Sequence, residues 1–169
     1  CDALWLEDGL VKMIDQRYLP FEFRIYEAKT AEDVAVAIED MVVRGAPAIG
    51  ATAAYGMAQA YQQGVDLKTT EERFRKTRPT GHDLFFAIDF MTHAAAGGED
   101  LVAAAERYAQ EEIERCRKIG EHGAKLIRSG SRILTHCNAG ALATVDIGTA
   151  MAPMRVARDR GRQFFVYVD

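Results

Sequence analysis

Three short segments carry residues with chemistry to offer. In Arg44-Gly45-Ala46-Pro47-Ala48-Ile49-Gly50 an arginine stands directly before a helix start, with Pro in the first turn, where its missing N–H costs nothing. Free N–H groups, the positive end of a helix dipole and a forked guanidinium would together hold an anion such as a phosphate. The same residues also read as a tight corner between helices, with Arg44 solvated or paired to a carboxylate. The second segment, Cys137-Asn138-Ala139-Gly140, lies at a strand-to-helix junction, and ligands of open α/β sheets collect at the carboxyl ends of strands. A thiol at a helix N-terminus has its thiolate stabilised and becomes usable as a base or nucleophile; the alternative is a buried structural cysteine. The third, Arg78-Pro79-Thr80, sits in a break between helices. Its arginine either reaches a second oxygen of the same anion or is an ordinary surface residue.

Other candidates are weaker. His82, His93, His122 and His136 are scattered. His136 adjoins Cys137, but neighbours on a strand face opposite sides, which argues against a dyad. No Cys, His and Asp grouping has zinc-ligand spacing, and no glycine-rich nucleotide loop occurs. Cys116 falls on the apolar stripe of a helix and reads as core, Cys1 receives no role, and Asp146 reads as a solvated or packing residue on a helix.

These segments must be positioned by regular elements. Residues 3–6 and 10–14 read as strands joined by the turn Glu7-Asp8-Gly9, and 23–26 as a third strand. Thr30 caps a helix in which Val34, Ile38, Met41 and Val42 form an apolar face. The Gly- and Ala-rich run from 46 to about 63 predicts a thin, buried helix with close neighbours. A short charged helix is expected around 71–76, another helix over 84–96, and a long one from 100 onward, interrupted near Gly120 or Gly123. Residues 132–137 predict a strand, 141 to about 158 a helix and 164–168 a strand, a βαβ unit with parallel strands. The fold class is therefore α/β: a mainly helical domain with a small sheet over 1–124, then the start of a Rossmann-like parallel-sheet domain over 125–169. A parallel sheet is normally larger than two strands and covered on both faces, so the chain is expected to be the front part of a longer protein.

Composition limits the classes of function. The 21 Lys and Arg against 25 Asp and Glu give a net charge of −4, which argues against nucleic acid or an anionic membrane as partner. With 49% apolar and 27% charged residues the chain is core-forming rather than disordered. No apolar run nears the roughly 20 residues of a membrane span. Three widely spaced cysteines fit a reducing, cytoplasmic setting better than a disulfide framework.

Taken together, Met41 to Gly50, Arg78-Pro79-Thr80 and the run Thr135-His136-Cys137-Asn138-Ala139-Gly140-Ala141-Leu142-Ala143-Thr144 closely resemble the methylthioribose-1-phosphate isomerase family, which is related to ribose-1,5-bisphosphate isomerase and to the regulatory subunits of initiation factor 2B. The resemblance implies a cofactor-free, metal-free aldose–ketose isomerisation of a sugar phosphate in methionine salvage by a cytoplasmic homodimer. It implies that Arg44, Gly45, Ala46 and Arg78 bind substrate, and that Cys137 is the catalytic cysteine. The family's acid Asp falls beyond residue 169, so a C-terminal portion or complementing fragment would have to complete the site. After Arg78-Pro79-Thr80 the family usually has an Ala-Val-Asn type of run where this chain has Gly81-His82-Asp83. The rivals are the bisphosphate isomerase, which needs an extra cationic site where a thiomethyl group needs an apolar pocket, and a non-catalytic regulatory or assembly subunit.

Overall fold

The structure is a computed structural model that describes residues 2–169. The chain opens with an antiparallel meander of β1 (Leu4–Glu7), β2 (Leu10–Ile14) and β3 (Ile25–Ala28). The first two strands are joined at Asp8-Gly9, both in the left-handed region that a two-residue hairpin turn requires. The third strand starts two residues later than the sequence suggests. Pairing begins at Ile14 opposite Ile25, while Phe23 points to solvent in the loop that precedes it.

Helix α1 (Ala31–Glu39) begins with a complete capping box: Asp33 N–H donates to the Thr30 hydroxyl, and its carboxylate accepts from Thr30 N–H. Val34 and Ile38 face the core as expected, but Met41 does not extend their stripe. The helix ends at Glu39 with a cap at Asp40, and the backbone turns left-handed at Met41, leaving its side chain 60% exposed. The stripe pattern missed this because Val42, one residue on, is buried and keeps the spacing helical.

Helix α2 (Ala46–Gln62) is the hub, buried along most of its length. Its small residues let neighbours approach closely; at Gly56 an added Cβ would lie 2.7 Å from the Phe74 ring. Around it pack α1, α3 (Leu67–Arg75), α4 (His82–Ala96) and α5 (Leu101–Ala124). α3 begins earlier than its charged residues indicate, because Asp66 caps it through Thr69 N–H. α5 runs unbroken past both glycines that read as interruptions. Those glycines are contact points: a Cβ at Gly123 would stand 2.5 Å from the Pro153 ring.

The parallel pair is β4 (Arg132–Thr135) with β5 (Phe165–Val168), in register Arg132 to Phe165. Between them the expected helix from 141 is only half present. A three-residue 3₁₀ turn, Ala141–Ala143, is followed by a loop, and α6 (Met151–Asp159) starts ten residues after the turn does. The loop wins because the Thr144 hydroxyl donates to the Asp146 carbonyl at 2.7 Å and the backbone is left-handed at Ile147 and Gly148, conformations no α-helix accommodates. Asp146 therefore lies in this loop and not on a helix.

Two apolar clusters result. The larger joins the meander to α1–α5. The smaller gathers Ala124, Ile127, Met154 and Ala157 under the inner face of the parallel pair. Leu134, Phe165 and Tyr167 on that pair are exposed. Among the described residues no helix is long and apolar enough to cross a membrane.

Candidate functional site

The Schellman-type end of α1 sets the site. Met41 N–H donates to the Ile38 carbonyl and Val42 N–H to the Ala37 carbonyl, satisfying two carbonyls that the helix end leaves open. Val42 and Val43 are then buried as anchors, which throws Arg44 outward. Gly45 caps α2 at φ +99°. Only glycine fits there, since a Cβ would lie 2.5 Å from Ala143 Cα. The Ala141–Ala143 turn thus seats on the entrance of α2, and Gln16 clamps it by donating from Nε2 to the Leu142 carbonyl at 2.7 Å. Ala46 is the first residue of α2, and no side chain caps this helix, so the N–H groups ahead of Ile49, whose own N–H reaches the Gly45 carbonyl, have no intrahelical acceptor.

Arg44 and Gly45 line a cavity of about 420 Å³ whose opposite wall is Thr77, Arg78, Pro79 and Thr80 from the link between α3 and α4. Neither Arg44 nor Arg78 has a carboxylate partner among the described residues. The acid of the cavity, Glu39, is engaged by Arg73, whose Nη1 lies 2.6 Å from its Oε1; the same guanidinium bonds Glu32 at 2.7 Å. This pairing holds the Glu39 carboxyl below its usual range. Two unpaired cations and one neutralised acid leave the cavity electropositive, fit for an oxyanion. Arg78 is steered by Gly81, the φ +104° cap of α4, over which its side chain lies; a Cβ there would come within 3.3 Å of the guanidinium carbon.

Cys137 is exposed just past the carboxyl end of β4, in a left-handed conformation at φ +67°. It is not part of the cavity lining, but the segment that leaves it is the one docked on Gly45. The helix dipole expected to act on its thiol is not provided, because the turn that follows is three residues long and α6 begins only at Met151. His136 does not pair with it; its Nδ1 lies 2.5 Å from Asp169 Oδ2. Cys116 is core, its Sγ 3.6 Å from Glu112 Oε1, and burial pushes its thiol up to about 11. Cys1 lies outside the described residues. No group of three or more potential metal ligands occurs among the described residues.

Sequence reasoning missed Gln16, Glu39, Met41 and Gly81 as parts of this site. Gly81, beside Arg-Pro-Thr where a helix begins, was the one with a visible signal. Gln16 and the Arg73-bound state of Glu39 depend on contacts between segments far apart in the chain, and Met41 on where α1 stops.

A central small-residue helix whose uncapped N-terminus adjoins a cavity lined by two guanidinium groups, joined to a parallel βαβ start, defines an α/β protein with an electropositive cavity at its hub helix. The chain belongs to the initiation factor 2 subunit family, whose model matches residues 42–169. Among its relatives, it is 46% identical to the methylthioribose-1-phosphate isomerase of Thermotoga neapolitana, over 98% of this chain and 52% of that protein. It is 47% identical to that of Sinorhizobium medicae, over 99% of this chain and 51% of that protein. The crystal structure of 5-methylthioribose 1-phosphate isomerase from Pyrococcus horikoshii OT3 superposes with a TM-score of 0.89 at 34% identity, over 99% of this chain and 52% of that one. That of translation initiation factor eIF-2B subunit delta from A. fulgidus gives 0.81 at 38% identity, over 99% and 54%. The chain thus spans about half the length of these relatives.

Proposed function

We propose that the polypeptide carrying this chain isomerises 5-methylthioribose 1-phosphate to 5-methylthioribulose 1-phosphate. The observation that carries the reading is the pair of guanidinium groups, Arg44 and Arg78, without carboxylate partners and lining one cavity at the open N-terminus of α2. A phosphate dianion satisfies both cations and the free N–H groups at once.

In this reading Arg44, Gly45, Ala46 and Arg78 hold the sugar phosphate. The bond between C1 and the ring oxygen opens while the phosphate ester on C1 stays intact, and the ring oxygen takes up a proton. A proton then leaves C2 and C1 gains one, and the C2 hydroxyl gives up its own proton, so that C2 becomes the ketone. Cys137, at the strand's carboxyl end, takes or relays the C2 proton, and the acid for the ring oxygen comes from a C-terminal half on the same polypeptide or a complementing fragment. The chemistry needs neither metal nor nucleotide. Residues 1–124 act as the helical domain that carries the phosphate site, and 125–169 open a Rossmann-like domain. The protein works as a cytoplasmic homodimer, with no nucleic-acid or membrane partner.

Assaying the full-length polypeptide on 5-methylthioribose 1-phosphate and on ribose 1,5-bisphosphate tests the reading. Turnover of the former with the higher kcat/KM is expected, and preference for the latter would move the assignment to the bisphosphate isomerase. Likeness to the eIF-2B delta subunit favours a second reading, a regulatory subunit, which activity on neither sugar would support.

A further inference from the structure

We infer that Met41 selects the substituent on C5 of the sugar phosphate, its thioether covering an apolar group; this rests on the isomerase reading above and names the specificity device of the same site. The lining of the cavity is of two kinds. Arg44, Arg78, Thr77, Thr80 and the Arg73-bound Glu39 are polar, and Ile38, Met41, Val43 and Ile49 are apolar. Ile38, Val43 and Ile49 are almost wholly buried and make a fixed wall, whereas Met41 is 60% exposed and free to close over what binds there.

The backbone at Met41 makes the case sharper. Its φ of +56° places it at the left-handed position of a Schellman-type helix end, where glycine is the residue of low cost. A methionine there accepts strain without contributing its side chain to the core, so folding alone does not account for it. Strained residues of this kind gather at ligand sites. The result is a flexible, polarisable thioether, the side chain best able to mould itself to an irregular apolar group, in the lining of the same cavity as Arg44.

Charge arithmetic agrees. Once one phosphate has taken Arg44 and Arg78, no cation of the lining remains for a second, since Arg73 is committed to Glu32 and Glu39. An apolar substituent at C5 meets a complementary wall; a phosphate there meets none.

The test uses Met41→Gly and Met41→Lys in the full-length polypeptide, reading KM for 5-methylthioribose 1-phosphate against the inhibition constant of ribose 1-phosphate, which shares the C1 phosphate and lacks the methylthio group. Glycine suits the local backbone, so a melting temperature at or above that of the unaltered protein shows the variant is folded. Met41→Gly should raise the ratio of the two constants about tenfold, the discrimination a hydrophobic pocket exerts on a small group, with the shift falling in KM. Met41→Lys should in addition strengthen inhibition by ribose 1,5-bisphosphate about tenfold. An unchanged ratio in Met41→Gly, with the unaltered protein active on 5-methylthioribose 1-phosphate, overturns this inference alone. Absence of turnover by the unaltered protein overturns the isomerase reading beneath it.

Discussion

Arg44 is exposed, unpaired and one residue ahead of a helix entrance, so removing its guanidinium takes nothing from the fold and a strong contact from the ligand. Arg44→Ala in the full-length polypeptide should raise KM for the sugar phosphate about 10- to 100-fold, the worth of a charge-assisted bond, while chemical denaturation shows a stability change within about 0.5 kcal/mol. Cys137 is equally external, and a serine keeps its size without its acidity. Cys137→Ser should lower kcat about a thousandfold, the scale on which proton transfer by a positioned group operates, with an unaltered circular dichroism spectrum. Kinetics at the level of the unaltered protein would remove the role assigned to it.

At the scale of elements, α4 and α5 each carry a group whose effect extends beyond its own turn. Gly81 caps α4 at positive φ with the Arg78 side chain laid across it. Gly81→Ala should destabilise the protein by about 1 kcal/mol through the backbone and weaken sugar-phosphate binding by displacing that guanidinium, which denaturant titration and KM report separately. On α5, Glu112 is buried beside Cys116, and desolvation raises its carboxyl, against the opposing pull of Arg115. A carboxyl raised on folding binds more protons in the native state than in the unfolded one, so stability falls as pH climbs above the ordinary glutamate value of 4.5 towards the folded one. Glu112→Gln should flatten that decline, as melting temperatures across pH 4 to 8 would show.

For the molecule as a whole, the two apolar clusters differ greatly in size. α2 lies inside the large one, and β4, β5 and α6 depend on the small one together with contacts to the end of α5. Opening free energies follow the apolar contacts that hold a region shut. Native-state hydrogen exchange on the 169-residue chain should find the amides of β4 and β5 exchanging at least about 100-fold faster than those of the middle of α2. Equal protection would show that the two clusters unfold as one unit. The exposed outer face of Leu134, Phe165 and Tyr167 adds to the same asymmetry, because it contributes no burial in this chain.

Local chemistry decided much of the molecule before any tertiary contact formed. Thr30 with Asp33 sets the start of α1, Asp8-Gly9 the hairpin, and the run of small residues the burial of α2, since caps, turns and side-chain volume act within a few positions. Arg44 and Arg78 were conspicuous for the same reason, each standing beside its own Gly or Pro, and Cys137 because it ends a β-prone run just ahead of the turn Asn138-Ala139-Gly140. Tertiary structure decided the rest. Whether Gly120 and Gly123 break α5 or admit α6 depends on Ala152, Pro153 and Val156 some thirty residues away. The residues after Cys137 form a loop and not a helix because Gly45 and Gln16 offer that loop a seat. Glu39 is silenced by Arg73 from another helix, and Met41 turns outward only because α1 stops where the anchors Val42 and Val43 can be buried. Such outcomes are set by energies of contact between distant segments, which spacing along the chain does not carry.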